Sequence, residues 1–393
     1  MPVGRTIFAQ LMERLPRFEF TQCVQRYRGD LRMRTLSCWE QFLALAYAQL
    51  TGRESLRDIE TCLLANRAKL YHSGFRAPVR RSTLADANES RDWRIFADFA
   101  RVLLARAVQL HANDDFGVPL TQAAYALDST TIDLCLALFP WARLGATRAA
   151  VKLHTQLALH GNIPTVFRIT PARLNDVHFM DEVVWEAGAF YVIDRGYLDF
   201  ARFRLLHEAQ AYFVTRARCN FRFRRRYSRP VDKSAGVLFD QLVRLADFKT
   251  KRSYPLALRR IGYRDPDTGK KLIFLTNHLA LPALVIARLY KARWQIELFF
   301  KWVKGHLRIK AFLGTSANAI KIQLCVALSV YALVALVRKE LQLEASLYTI
   351  LQILDATIFE KMPIITALSQ PPLQIDVCDE QKQLCFQGFL TGQ

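Results

Sequence analysis

The sequence predicts an α/β protein, helical to about residue 110 and then built of strands and helices around a mixed sheet. Two observations carry this. Apolar residues recur with a period near 3.6 through Leu36–Leu50, whereas from about residue 120 short apolar runs end in turn residues. Two of those runs, Ala123-Ala-Tyr-Ala-Leu-Asp128 and Ala189-Phe-Tyr-Val-Ile-Asp194, finish on an acid. Strands followed by helices, with acids at strand ends, place a site at one edge of the sheet.

Each element has its own signal. Ser55-Leu-Arg-Asp58 begins a helix with a Ser cap, and Ser82 to Glu89 leads into a third helix carrying Arg91, Arg94 and Arg101. This basic helical region is either a DNA-binding unit or a cap supporting the next domain. His111 to Asp115 reads as a linker. After the strand ending at Asp128, Thr131–Leu138, Val151–Leu157 and Thr165–Ile169 read as three more strands. Arg195-Gly196-Tyr197 supplies a turn in which Gly is free to take positive φ. A helix from Leu198 to Glu208 and the strand Tyr212–Thr215 follow. Phe221 to Tyr227 alternates aromatic and basic residues. Asp265-Pro-Asp-Thr-Gly269 is the turn of a hairpin between Leu256–Tyr263 and Lys271–Thr276. A long helix starts near Pro282, and apolar helices run to about residue 369.

Charge narrows the partner. The 393 residues carry a net +20, concentrated in 216–271, where 17 Lys/Arg face 5 Asp/Glu, and in 1–110, where 18 face 11. A surface built for solubility would mix its signs, so this one is predicted to bind a polyanion. For the Phe221–Tyr227 run, contact with DNA backbone is favoured over a solvated strand edge. The eight cysteines show neither C-x-x-C nor zinc spacing and read mostly as buried free thiols of a reducing compartment. The first residues lack the apolar stretch of a signal peptide. Ile322–Val337 is shorter than the roughly 20 residues a membrane span needs and reads as a core helix. His154, His160 and His178 show no metal-ligand spacing and read as structural or surface residues.

The chemistry is predicted where one acid stands among many bases. Counting 100° per residue from Glu297, the residues Tyr290, Arg293, Lys301 and Lys304 fall within about 40° of it on a helix, while Ile296, Leu298, Phe299, Trp302 and Val303 form the opposite arc. The plain alternative is a solvated face with i,i+4 ion pairs, Arg293–Glu297 and Glu297–Lys301. Surrounding cations favour an ionised Glu297, suited to ligating a divalent metal. Asp128, Asp194 and Glu297 are therefore the candidate catalytic and metal-binding residues. Three carboxylates can hold two Mg²⁺ roughly 3.5–4 Å apart, Asp128 bridging and Asp194 and Glu297 each taking one ion, with Mn²⁺ as the substitute.

These residues carry a resemblance. Asp128-Ser-Thr-Thr, Asp194-Arg-Gly-Tyr197 and the Tyr-x2-Arg-x3-Glu-x6-Lys spacing, which falls without a gap on Tyr290, Arg293, Glu297 and Lys304, resemble the motifs of the IS4 family of bacterial insertion-sequence transposases. Tyr27-Arg-Gly-Asp30, Cys38-Trp-Glu-Gln-Phe42 and Gln49 to Arg57 extend the resemblance across the N-terminal region. It implies an RNase H-like catalytic core with a DDE triad, interrupted by a β-rich insertion between the second Asp and the Glu. The expected organisation is an N-terminal helical domain (1–110), a core in two parts (120–215 and 276–370), a basic β-rich insertion (216–275) and a tail (371–393). The implied activity is cleavage of element ends and joining of the freed 3′-hydroxyls to target DNA. Tyr290, Arg293, Lys301 and Lys304 would hold terminal phosphates and a displaced base, with Tyr290 or Trp294 as its stacking face and core packing as the alternative for Trp294. Expected partners are double-stranded DNA and a second copy of the chain, without a membrane, at the nucleoid in the bacterial cytoplasm. A metal-dependent nuclease on the same core, or a DNA-binding derivative without catalysis, are the alternatives. The intact acids argue against the latter.

Overall fold

The computed structural model describes residues 4–31, 33–218, 221–306 and 312–369. The tail at 371–393, which includes Cys378 and Cys385, lies outside the described residues, as does Cys219.

The first region is helical: α1 (Ile7–Glu13), α2 (Arg17–Arg26), α3 (Cys38–Leu50), α4 (Leu56–Ala65), α5 (Arg67–Leu70), α6 (Arg81–Ser90) and α7 (Arg94–Leu110), with side-chain caps on α1, α3 and α4. Ser37 opens α3 with a capping box, its Oγ accepting the Glu40 N–H at 3.1 Å while Glu40 accepts the Ser37 N–H at 3.0 Å. Ser55 starts α4 by accepting the Asp58 N–H at 3.0 Å. The stretch from Ser82 is not a lead-in; it is α6 itself, and the chain breaks at Arg91 before α7. The break is held from α3, because the extended Arg91 donates to Gln41 Oε1 at 2.9 Å and to the Leu36 carbonyl. Gly29 has a steric reason: a Cβ there would stand 2.4 Å from Ile95 Cδ1 on α7.

The sheet contains β1 (Ala124–Leu134), β2 (Arg143–Leu144), β3 (Arg148–Ala158), β4 (Ile163–Pro171), β5 (Phe190–Ile193) and β6 (Tyr212–Arg216), with α8 (Phe200–Glu208) between the last two. β4, β3 and β1 are antiparallel neighbours, and β1, β5 and β6 are parallel. Three antiparallel strands followed by two parallel ones, in the order β4-β3-β1-β5-β6, is the RNase H-like arrangement. The two strands read around Asp128 are one: β1 runs through the acid to Leu134, because β3 pairs with it all the way from Tyr125 to Leu134. Gly196 also departs from expectation, since it lies in a 3₁₀ turn and is not among the glycines with positive φ.

The basic segment adds β7 (Phe223–Arg229), β8 (Val237–Leu245), α9 (Phe248–Ser253), β9 (Leu258–Arg264) and β10 (Lys271–Thr276). β10 pairs antiparallel with β6, so these strands continue the same sheet, in the order β6-β10-β9-β8-β7. The β9–β10 hairpin turns at Gly269, whose φ is 67°.

The predicted long helix is two, α10 (Ala283–Ala292), capped by Pro282, and α11 (Trp294–His306). At Arg293 the ladder tightens to i,i+3 bonds: Arg293 N–H reaches Tyr290 O at 3.2 Å and Ile296 N–H reaches Arg293 O at 3.1 Å. α12 (Ala317–Glu340), α13 (Leu347–Thr357) and α14 (Ile364–Leu368) complete the described chain. By length and composition α12 could cross a membrane, yet 89% of its most apolar window is buried against neighbours that include α7 and α3.

Apolar side chains fill both faces of the sheet. Ala126, Ile132, Leu153 and Val192 pack with α7, α11 and α12 on one face, and Leu127, Tyr191, Ile193 and Phe213 pack with α8 on the other. Among the described cysteines, Cys23, Cys38 and Cys325 are buried free thiols, Cys62 is half-buried, and Cys135, just past the end of β1, is exposed. Within the basic strands one ion pair is buried: Arg259 donates to both Asp240 oxygens, at 2.8 and 2.6 Å, and to the Leu281 carbonyl. Removing one partner leaves a buried charge uncompensated. Asp240→Ala is expected to lose about 3–5 kcal/mol of stability, read as a lowered midpoint of urea unfolding.

Candidate active site

Strand pairing brings the two aspartates together. The parallel register of β1 and β5 ends at Leu127↔Ile193, so Asp128 and Asp194 are the next residues on adjacent strands. Alternation along β1 turns Ala124, Ala126 and Asp128 toward α11, and Tyr125, Leu127 and Ser129 to the other face. β5 alternates the same way, so Asp194 shares the face of Asp128. It caps the turn Arg195–Tyr197, its Oδ2 accepting the Gly196 N–H at 3.2 Å.

Glu297 comes from the first turn of α11, whose buried Ile296, Phe299 and Val303 fix the helix against the core. Arg293 closes the group: its Nη1 donates to Asp128 Oδ2 at 2.9 Å and its Nη2 to Glu297 Oε1 at 2.5 Å. The i,i+4 pair of the plain reading is therefore present, but the same guanidinium also spans to a strand 165 positions away in sequence. Tyr290 reaches the other aspartate, with its hydroxyl 3.4 Å from Asp194 Oδ1. Burial pushes the Asp128 carboxyl up to about 6; Asp194 and Glu297 add to the rise, while the Ser129 N–H and Arg293 oppose it.

The remaining signature residues divide by environment. Tyr290 is buried and packs on Phe274, with ring centroids 5.0 Å apart, so its ring is not an open stacking face. Trp294 is: it is 56% exposed at the start of α11. Both line a cavity of about 750 Å³, with Phe116, Tyr263, Phe274 and Arg293 also on its wall. Lys301 is exposed, and Lys304 Nζ donates to the Thr131 carbonyl of β1 at 2.7 Å. Leu298 departs from the predicted apolar arc, being 42% exposed. His154 is buried beside Thr170 Oγ1 at 2.9 Å, and burial lowers its pKa to about 4, so it is a neutral core residue.

Three carboxylates without His or Cys form a donor set suited to hard divalent cations. Asp194 and Glu297 both bear on Asp128 electrostatically. As they stand, the carboxylates do not form a ready-made cage: among the described residues no group of three or more His, Cys, Asp or Glu is arranged to hold a metal. Arg293 lies between Asp128 and Glu297, taking one oxygen of each.

Residues 120–333 match the family described as transposase DDE domain, and residues 3–76 match a domain of unknown function (DUF4372). The chain is a DDE transposase. It is 33% identical to the "Putative transposase y4zB" of Sinorhizobium fredii over 293 residues, covering 74% of this chain and 80% of that protein. It is 25% identical to the "Putative transposase for insertion sequence element IS4SA" of Synechocystis, covering 75% of this chain and 82% of the relative. Among solved structures, a piggyBac transposase synaptic complex with hairpin DNA aligns at a TM-score of 0.43 and 9% identity, over 93% of this chain and 80% of that one, too distant to bear on the site. As a DDE transposase it acts on DNA, cleaving and transferring strands with divalent metal ions.

Around these acids lie residues that sequence reasoning left without a role. Ser129 and Tyr197 stand inside the acid-bearing motifs, so adjacency could have flagged them. Asp176 and Lys152 carry no local signal. Replacing Arg293 with Gln removes a cation that favours ionised Asp128 and leaves burial and two like charges. The Asp128 titration in metal-free buffer is expected to move above 6, followed by NMR of ¹³C-labelled aspartate; a downward shift would contradict the contact.

Proposed function

We propose that Asp128, Asp194 and Glu297 are the catalytic triad of this transposase and bind two Mg²⁺ ions, with Mn²⁺ able to replace them. The observation that carries this is the convergence of three carboxylates from β1, the end of β5 and α11 on one face of an RNase H-like sheet. Bound there, the ions would polarise the scissile phosphate and make water or a 3′-hydroxyl nucleophilic near neutral pH. In the first reaction water attacks the phosphorus at an element end and the 3′-oxygen leaves as a hydroxyl. In the second, that hydroxyl attacks a target phosphodiester and one target 3′-hydroxyl departs.

The chain's own residues handle the DNA. Arg293 and Lys301 neutralise phosphates beside the triad, and Lys304 joins them from the next turn of α11. Tyr290, buried with its hydroxyl toward Asp194, sets the floor of the site. Trp294 offers its exposed indole to a base extruded from the transferred end, and the adjoining 750 Å³ cavity has room for it. The exposed arginines of β7 extend this basic surface along the DNA backbone. Because two ends must be joined together, the working complex is a homodimer on DNA.

Glu297→Gln is expected to abolish strand cleavage and leave end binding nearly intact in a gel-shift assay; unchanged cleavage would remove Glu297 from the site. Incubating the protein with donor ends and a target plasmid separates transposition from simple nuclease action, since only the former gives joined products. Trp294→Ala should weaken binding of an end with an unpaired terminal base by about 1–3 kcal/mol, the worth of one stacked base. Equal affinity in a titration would place the base elsewhere.

A further inference from the structure

Beneath the carboxylates, on the opposite face of the sheet, lies a half-buried polar cluster that the chemistry above does not use. Ser129 Oγ donates to Asp176 Oδ1 at 2.9 Å, and Lys152 Nζ donates to the same oxygen at 2.9 Å and to the Leu174 carbonyl at 3.0 Å. Asp176 is thus held by a cation from β3, and it in turn holds the Ser129 proton. Across from it stands Tyr197, 2% exposed and packed within the apolar side chains of that face. Its hydroxyl lies beside the Ser129 hydroxyl, within the field of the Asp128, Asp176 and Asp194 carboxylates, and makes no hydrogen bond of good geometry. A phenol keeps its proton at neutral pH, so the group stands there as an O–H donor.

A donor buried without an acceptor is costly and calls for an explanation. Here the acceptor is at hand. Ser129 has given its proton to Asp176, which leaves the lone pairs on its oxygen free to accept. Ser129 follows Asp128 directly, and its N–H already donates to Asp128 Oδ1 at 2.8 Å. Tyr197 lies three residues after Asp194, its N–H bound to the Asp194 carbonyl at 3.0 Å. A bond between these two hydroxyls would tie the Asp128 segment to the Asp194 turn at a point where the sheet no longer does, because β1 and β5 stop pairing at Leu127↔Ile193.

We propose that Tyr197 and Ser129 are positioning residues: the Tyr197 hydroxyl donates to Ser129 Oγ, and this contact, anchored by Asp176 and Lys152, sets the spacing of Asp128 and Asp194. The proposal rests on the triad reading above. It explains why a tyrosine, and not a phenylalanine, fills this apolar position.

The test is Mn²⁺ binding to the full chain, by calorimetry or by the loss of free Mn²⁺ signal in electron paramagnetic resonance. Tyr197→Phe removes one oxygen from a filled position, so the fold should persist, and thermal melting checks this. Tyr197→Phe and Ser129→Ala should each weaken Mn²⁺ binding about tenfold, the usual scale for supporting contacts of metal ligands. The double variant should be no worse than either single one, and Ser129→Thr, which keeps the hydroxyl, should restore binding. Wild-type Mn²⁺ affinity in Tyr197→Phe, or losses that multiply in the double variant, would overturn the proposal. Asp128→Asn, measured in parallel, separates the two ideas. If it loses Mn²⁺ while Tyr197→Phe keeps it, the positioning role alone fails; if Asp128→Asn binds and cleaves normally, the triad reading fails and this falls with it.

Discussion

The arrangement depends on where two parallel strands stop pairing. β1 and β5 are in register through Leu127↔Ile193, and the next residue of each is an aspartate. β1 continues beyond that point only because β3 still pairs with its other edge. β5 has no such partner for Asp194 and turns away into a short 3₁₀ segment. Asp128 and Asp194 stand where the two strands part. Moving either strand by one residue would turn its acid to the opposite face, because side-chain direction alternates with every position. Packing on both faces guards the register, with Ala126 and Val192 committed to one core and Leu127 and Ile193 to the other.

Like charges so close must be balanced. The Asp128 carboxyl is driven up by burial and by its two acidic neighbours. Arg293 answers this from the junction of α10 and α11, one nitrogen to the strand and one to the helix. The junction geometry makes the double contact possible. A tightened turn at Arg293 changes the path of the chain between the helix bearing Tyr290 and the one bearing Glu297. The guanidinium is therefore both the electrostatic counterpart of the acids and the clamp that fixes α11 against β1, with the Lys304 contact to the Thr131 carbonyl as a second attachment.

Much of this was legible in the sequence, and for physical reasons. Acids after apolar runs, cations at helical spacing and a hairpin turn at Asp265–Gly269 are all local signals, and the elements bearing them stand in the structure. What was missed depends on distant partners. Nothing near Asp128 shows that β3 carries β1 past it, because that pairing joins residues such as Asp128 and Thr155. The break at Arg293 involves neither Gly nor Pro, the usual marks of a helix interruption. The separation of α6 from α7 depends on Arg91 finding Gln41 on α3 and the Leu36 carbonyl just before it. Tyr290 sat on the predicted polar stripe, yet its ring is buried because β10 supplies Phe274 to pack on it.

The same logic accounts for the basic strands. They could have folded as a separate lobe, but β10 pairs with β6, so β7 to β10 lengthen the catalytic sheet. A rigid sheet carries position along its length better than a tethered lobe would, and the hydrogen-bonded ladder leaves few soft torsions between β5 and β8. The outermost strand, β7, is where an unpaired edge would invite association with another chain, and it carries Arg224, Arg225 and Arg226 in exposed positions. Three like charges on an edge discourage strand addition. They also put positive potential at the far end of the sheet whose other half holds the acids. One device thus keeps the edge from pairing and extends the attraction for a polyanion well beyond the acids.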